Sequence, residues 1–170
     1  MYTTPMKKSD LAALEGLRLF SSFSEEVAKE FFRLFRRRSL KKGEILFREG
    51  EEGDTFYIIL CGDVSIEKQL DKEGKKMRKL AVLRKGDYFG EMAVLEGQPR
   101  FAQARAIAPA EVIELGRDGL MRFIDAHPRE GAAMLIEIIL VMLRRLRHTS
   151  DDLMAAHNFM EVLANYQRRR

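Results

Sequence analysis

The residues best suited to chemistry in this sequence lie between positions 86 and 106, where glycine, glutamate and arginine occur close together. Gly90 permits a backbone conformation that is closed to other residues and lets a ligand approach the neighbouring amides. The run 91–95 contains good helix formers, and the first N–H groups of a helix attract anions. Arg100 follows a proline and presents a planar guanidinium that suits a phosphate or a carboxylate. The region therefore predicts a binding site for a small anionic group.

The elements that must position this site are short strands. From Leu40 onward, short apolar runs alternate with glycine-containing turns, a pattern typical of an antiparallel β protein. Seven or eight such strands predict a sandwich, a jelly roll or a small barrel. The predicted strands include the runs 45–47, 56–60, 64–67, 80–83, 101–108 and 111–115.

Helices are predicted on both sides of the strands. The first runs from a cap at Ser9 or Asp10 to Phe20, and Ser24 caps a second. The basic run 36–38 would lie near the carboxyl end of the second helix, where cations are favoured. The sequence thus indicates a mainly β fold with flanking helices.

A long helix is predicted for the carboxyl-terminal part of the chain, after a short helix that ends near Pro128. Apolar residues recur in it with alternating spacings of four and three, the a/d pattern of a helix that pairs with its own copy. This favours a homodimer, although the same seam could lie on the chain's own domain. Thr149 is the polar member of the seam, and its hydroxyl can bond a backbone carbonyl. The seam consists of Leu135, Ile139, Met142, Leu146, Thr149, Leu153, Ala156, Met160 and Leu163.

The composition limits which classes of function the protein can have. The 170 residues carry a net charge of +4, which admits nucleic acid or an anionic ligand as a partner but requires neither. The single Cys61 cannot form an internal disulfide, and no secretory signal or membrane span is found, so we expect a cytoplasmic protein. The three histidines lie in or beside predicted helices, which argues against a metal site built on strands. With no nucleophile–base motif or phosphate-binding loop of the Walker type, the chain is not expected to be an enzyme, and no metal or cofactor is predicted.

The region around Gly90 resembles the phosphate-binding cassette of cyclic nucleotide-binding domains. That family's pattern is Phe-Gly-Glu, apolar, Ala, apolar, a gap, and then Arg, Ser or Thr, and Ala. The resemblance implies that Glu91 binds the ribose 2′-hydroxyl and that Arg100 pairs with the cyclic phosphate. Backbone groups of Gly90, Met92 and Ala102 would complete the cradle. The matching residues are Phe89, Gly90, Glu91, Met92, Ala93, Val94, Arg100 and Ala102.

The resemblance extends over most of the chain and implies a fold and a ligand. The fold would be a double-stranded β-helix or jelly roll, called a β-roll, with amino-terminal helices and a long carboxyl-terminal helix. We expect residues 1–130 to form the cyclic nucleotide-binding domain and residues 131–170 to form a dimerisation helix. The expected function is that of a regulatory sensor domain whose ligand is cyclic AMP or cyclic GMP.

Phe101 departs from the family pattern, because the family has a small hydroxyl residue there that donates to the phosphate. Losing one hydrogen bond to a charged group costs about 1.5–3 kcal/mol, roughly tenfold to hundredfold in affinity. Two alternatives follow. The pocket is closed and the domain is a dimeric interaction module, or the pocket accepts another effector, such as haem, a different nucleotide or an apolar molecule.

The long helix also resembles the central helix of catabolite activator protein-type regulators. In those regulators a Thr-Ser pair on the dimer helices contacts the adenine, and an Arg lies one turn earlier. By that resemblance Thr149 and Ser150 would contact the base, with Arg145 alongside. The chain ends at Arg170 without the helix-turn-helix domain of that branch, so sequence-specific DNA binding is not expected. No motif identifies a downstream protein partner.

Overall fold

The computed structural model describes residues 3–4, 14, 16–71 and 76–168. These residues form nine strands, one short 3-10 helix at Arg18–Phe20 and four α-helices with their bounds described. The strands are β1 (Thr3–Thr4), β2 (Arg36–Leu40), β3 (Ile45–Phe47), β4 (Thr55–Cys61), β5 (Val64–Gln69), β6 (Met77–Leu83), β7 (Tyr88–Phe89), β8 (Gln103–Ala106) and β9 (Ala110–Gly116). The helices are α1 (Glu25–Phe32), α2 (Glu91–Glu96), α3 (Arg117–Ala126) and α4 (Pro128–Arg168).

The strands form two antiparallel sheets, one with the order β1-β2-β9-β4-β7 and the other with the order β3-β8-β5-β6. Strand β9 lies between β2 and β4, with Ile113 opposite both Arg37 and Ile58. In the second sheet β5 pairs with both β6 and β8. The prediction of a mainly β fold with flanking helices is therefore confirmed.

Strand β4 separates two hydrophobic cores. Its apolar run shows no alternation with polar residues, as expected of a strand buried on both faces. Tyr57 and Ile59 belong to the core inside the roll, whereas Phe56 and Ile58 belong to the core between the first sheet and the helices. The helical core is rich in aromatic rings, among them Phe31, whose ring centroid lies 4.1 Å from that of Phe123.

Helix α1 begins as predicted, because the Ser24 hydroxyl accepts a hydrogen bond from Val27 N at 3.3 Å. It ends at Phe32, and the basic run 36–38 lies in β2, so its predicted place at a helix end is wrong. Pairing with β9 satisfies the backbone of this run, and the Arg37 guanidinium forms an ion pair with Glu111. Tertiary pairing here overrides a weak helical preference. Most of the predicted helix from Ser9 or Asp10 lies outside the described residues.

Helix α4 changes its environment along its length. Its first turns are part of the domain, since Met134 and Ile138 lie in the helical core. Of the predicted seam, Leu135 and Met142 are partly buried and pack against this core, which is the alternative place of the seam that the sequence left open. Ile139, Leu146, Leu153 and Met160 are exposed, and the side chain of Leu163 lies outside the described part. Within the described part of the chain, no helix combines the length and the hydrophobicity that a transmembrane span needs.

Candidate functional site

Gly90 joins β7 to α2 in a backbone conformation that only glycine adopts readily. Its φ is +81°, in the left-handed region. A β-carbon there would lie 2.8 Å from Thr55 O and 2.9 Å from the Arg100 Nη1. The absence of a side chain at Gly90 therefore serves both the turn into α2 and the close approach of Arg100.

Arg100 is buried, with only 4% of its surface exposed. Its Nη1 donates to Gly90 O at 3.2 Å, and its guanidinium carbon lies 4.2 Å from the ring centroid of Phe47. Its Nε is buried and has no hydrogen-bond partner among the residues that the structure describes. Because a buried, unpaired donor is costly, this guanidinium is arranged to receive an acceptor.

The backbone around Arg100 is fixed by the loop after β3. Arg100 N donates to Glu51 O at 2.8 Å, and Gly50 N donates to Arg100 O at 2.9 Å. Burial lowers the pKa of Arg100, while the negative charges that Tyr57, Asp54, Glu51 and Glu91 carry when ionised act in the opposite direction. An anion bound here would reinforce the charged form of the guanidinium.

Glu91 is the first residue of α2, and only 4% of its surface is exposed. Burial raises the pKa of its carboxyl, against the effect of the Arg145 charge, its own backbone N–H and the Arg100 charge. Arg145 Nη1 donates to Glu91 Oε1 at 2.9 Å. A buried carboxylate and a buried guanidinium thus lie on the same short segment, both suited to a ligand that carries hydroxyl and anionic groups.

Arg145 ties helix α4 to this segment. Besides Glu91, it binds the carbonyl oxygen of Tyr88, which accepts a hydrogen bond from Nη2 at 2.6 Å. The resemblance to the central helix had suggested that Arg145 lies alongside a base. In this structure its guanidinium bonds the carboxylate that the same resemblance assigns to the ribose.

The structure does not bring Thr149 or Ser150 into contact with Glu91. Thr149 Oγ1 donates to Arg145 O at 3.0 Å, and both residues are exposed on the outer part of α4. This backbone hydrogen bond is the alternative that the sequence left open for Thr149. Thr149 and Ser150 can contact a ligand only if the ligand, or a second chain that carries it, lies beside the outer part of α4.

Phe101 does not fill the space around Arg100. Its side chain is 54% exposed, and the Lys68 ammonium lies 4.0 Å from its ring centroid. The ring contacts of Arg100 are instead with Phe47 and Tyr57. Of the remaining cassette residues, Ala102 is buried and Met92 is partly buried.

Several residues of the site were not singled out as site residues by the sequence. Phe47 and Tyr57 form the aromatic wall behind Arg100, and a β-carbon at Gly53 would lie 2.0 Å from Arg100 Nε. Lys68 reaches the cassette from β5. Gly53, which precedes β4, was the one signal in the sequence for these residues, since a glycine without a tight turn often marks a close approach of another group to the backbone.

Comparisons with known proteins identify the family of this domain. The model of the cyclic nucleotide-binding domain family matches residues 37–127, more than half of the chain. A cAMP-dependent protein kinase regulatory subunit from Debaryomyces hansenii is 34% identical over 111 residues, covering 65% of this chain and 23% of that protein. A CRP-like cAMP-activated global transcriptional regulator from Mycobacterium tuberculosis is 30% identical over 112 residues, covering 66% of this chain and 47% of that protein.

A solved structure shows the same fold. The crystal structure of a cyclic nucleotide-binding domain from Methylobacillus flagellatus has a TM-score of 0.74 and 26% identity, and the match covers 86% of this chain and 82% of that one. The chain spans less than half the length of the sequence relatives it matches. The family match and the β-roll, together with the cassette geometry, show that the chain belongs to the cyclic nucleotide-binding domain family.

Proposed function

We propose that this regulatory domain binds a cyclic nucleotide, with cyclic AMP as the first candidate, and transmits binding through α4. The observation that carries the proposal is the buried Arg100 with an unpartnered Nε beside the buried carboxylate of Glu91. A cyclic phosphate supplies the acceptor that Arg100 lacks, and a ribose hydroxyl can donate to Glu91. The backbone groups of Gly90, Met92 and Ala102 would complete the cradle, as the family resemblance implies.

The link between Glu91 and Arg145 gives the domain a route from ligand to helix. A ribose hydroxyl that donates to the Glu91 carboxylate shares this acceptor with Arg145 and changes how strongly α4 is held. Ligand binding therefore shifts the equilibrium between positions of α4, by an amount set by the difference in the ligand's affinity for these positions. The kinase regulatory subunit and the transcriptional regulator among the relatives are both described by their response to cAMP, which supports the choice of ligand.

The carboxyl-terminal helix is the proposed dimer contact. Ile139, Leu146, Leu153 and Met160 recur every seven residues and are all exposed. A stripe with this period stabilises a helix that pairs with a second copy. We assign residues 1–130 to the sensor and residues 131–170 to this helix, with the first turns of α4 shared between them.

Calorimetric titration with cyclic AMP and, separately, with cyclic GMP tests the proposal. We expect micromolar or tighter binding to at least one of them. Arg100→Ala should weaken it by about 2–5 kcal/mol, because the ligand's charge loses its buried partner. Arg129→Ala, an exposed arginine at the start of α4, is the matched control and should leave the affinity unchanged.

Three results would contradict the proposal. No heat with either nucleotide would favour a dimeric interaction module with an unused pocket. Equal binding by the wild-type protein and Arg100→Ala would place the ligand elsewhere. If only Phe101→Ser gains binding, Phe101 is the block and the domain's natural effector is a different molecule.

A further inference from the structure

Lys68 on β5 contacts the cassette at Phe101, the position where this chain lacks the hydrogen-bond donor of the family pattern. Phe101 replaces the small hydroxyl residue, so its side chain has no donor for a phosphate. The Lys68 ammonium donates to the carbonyl oxygen of this same residue at 2.6 Å and lies over its ring. A cation on β5 is therefore next to the residue whose donor is missing.

The lysine is held in place by a second contact. Glu49 Oε1 lies 2.8 Å from the Lys68 Nζ, and Glu49 Oε2 accepts a hydrogen bond from Gln69 N at 2.8 Å. Glu49 precedes the residues of the loop that bind the backbone of Arg100. One loop thus contacts both the Lys68 ammonium and the backbone of Arg100, the residue before Phe101.

The ammonium retains a free donor. A lysine ammonium has three N–H donors. Two are directed to Phe101 O and to Glu49, and the described residues provide no further acceptor. About one third of the side chain, 33%, is exposed, so a ligand can reach it.

We propose that Lys68 is a second phosphate-binding cation of this domain and replaces the donor lost at Phe101. The inference rests on the proposed function, because it concerns the phosphate of the same cyclic nucleotide. It predicts that Phe101 does not close the pocket. The ligand phosphate would be held between a guanidinium from the cassette and an ammonium from β5.

The test is titration of cyclic AMP into the wild-type protein, Lys68→Met, Lys68→Arg and Lys42→Met. We expect Lys68→Met to weaken binding about tenfold to hundredfold, as for a lost hydrogen bond to a charged group. Lys68→Arg should keep most of the affinity. Lys42→Met, which alters an exposed lysine in the turn after β2, should have no effect.

A second set of variants separates a phosphate contact from a purely structural one. In the Phe101→Ser background the hydroxyl returns, so Lys68→Met should cost much less there than in the wild-type protein. An equal loss in both backgrounds would mean that Lys68 only holds the loop, and it would overturn the inference. Wild-type binding that Arg100→Ala removes and Lys68→Met leaves intact would overturn this inference alone. Absence of wild-type binding would overturn the proposed function and this inference together.

Discussion

At the scale of single residues, the site depends on a largely buried guanidinium. Arg100 is stacked on Phe47 and bonded to Gly90 O, yet its Nε remains without an acceptor among the described residues. Two glycines make this possible, since a β-carbon at Gly53 or at Gly90 would collide with the side chain. The residues without side chains are therefore as much a part of the site as the charged ones.

Gly53→Ala should displace Arg100. The added β-carbon would lie 2.0 Å from Arg100 Nε, so the guanidinium has to leave its place beside Phe47. We expect cyclic nucleotide affinity to fall about tenfold or more, with the far-ultraviolet circular dichroism spectrum unchanged. Gly116→Ala is the control, because a β-carbon there meets nothing within 4 Å and its φ is −73°. Equal affinity in the two variants would contradict the account of Gly53.

The pKa of Glu91 gives a second prediction at this scale. Arg145 lowers this pKa, which burial raises, so Arg145→Met should raise it further. The exposed Arg147→Met should not change it. Titration of the Glu91 carboxyl carbon by NMR in the wild-type protein and both variants measures the effect directly, and an equal pKa in all three would contradict it.

The same pKa has a consequence for stability. A carboxyl whose pKa is raised on folding binds its proton more tightly in the folded state. The stability of the wild-type protein relative to Glu91→Gln should therefore increase as the pH falls through the raised pKa towards the ordinary value of 4.5. Urea denaturation across this range tests the sign, and a relative stability that falls with pH would contradict it.

At the scale of elements, α4 serves two purposes along its length. Its first turns fill the helical core with Met134 and Ile138. One further residue, Arg145, reaches the cassette, and beyond it the helix is exposed. A shift of α4 relative to the β-roll therefore has to break or reform the contacts of Arg145, and this residue is our proposed point of coupling.

The anchoring of α4 can be tested with two isoleucines on opposite sides of it. Ile138 is 2% exposed and Ile136 is 57% exposed. Ile138→Ala should lower the free energy of unfolding by about 2–5 kcal/mol, because it leaves a cavity in the core. Ile136→Ala should change it by less than about 0.5 kcal/mol. Chemical denaturation of both variants makes the comparison, and similar losses would contradict the orientation of α4.

At the scale of the whole molecule, the exposed apolar stripe of α4 supports the proposed pairing with a second copy of the chain. A contiguous apolar face of this kind is unusual on a monomeric protein. If the dimer forms there, each nucleotide site communicates with the partner through Arg145 and the helix that carries it. The regulatory output would then be a change in dimer geometry.

Leu146→Asn together with Leu153→Asn should convert the dimer to a monomer, because both side chains lie on the stripe. Met154→Asn changes an equally exposed residue one position off the stripe and should leave the dimer intact. Sedimentation velocity at matched concentrations measures the outcome. A wild-type monomer, or a dimer that survives both changes, would contradict the proposed interface.

Much of the site was predictable because its residues are close together in the chain. The cassette from Phe89 to Ala102 is a local motif, so its residue types and spacing are visible without a structure. The short strands and their turns were equally visible, since turn chemistry and apolar runs are local properties. The basic run 36–38 was misplaced because its helical or extended state depends on pairing with β9, which is remote in sequence.

The sequence by itself therefore determined the family and the β-roll, and it singled out Glu91 and Arg100 as candidate site residues. Only the tertiary structure decided what surrounds them. Packing placed Gly53 and the aromatic wall behind Arg100, turned Phe101 towards Lys68, and joined Arg145 to a carboxylate 54 residues away. The physical reason is that spacing along a chain encodes turns and periodic faces, whereas contacts between distant residues are set by the simultaneous packing of all elements.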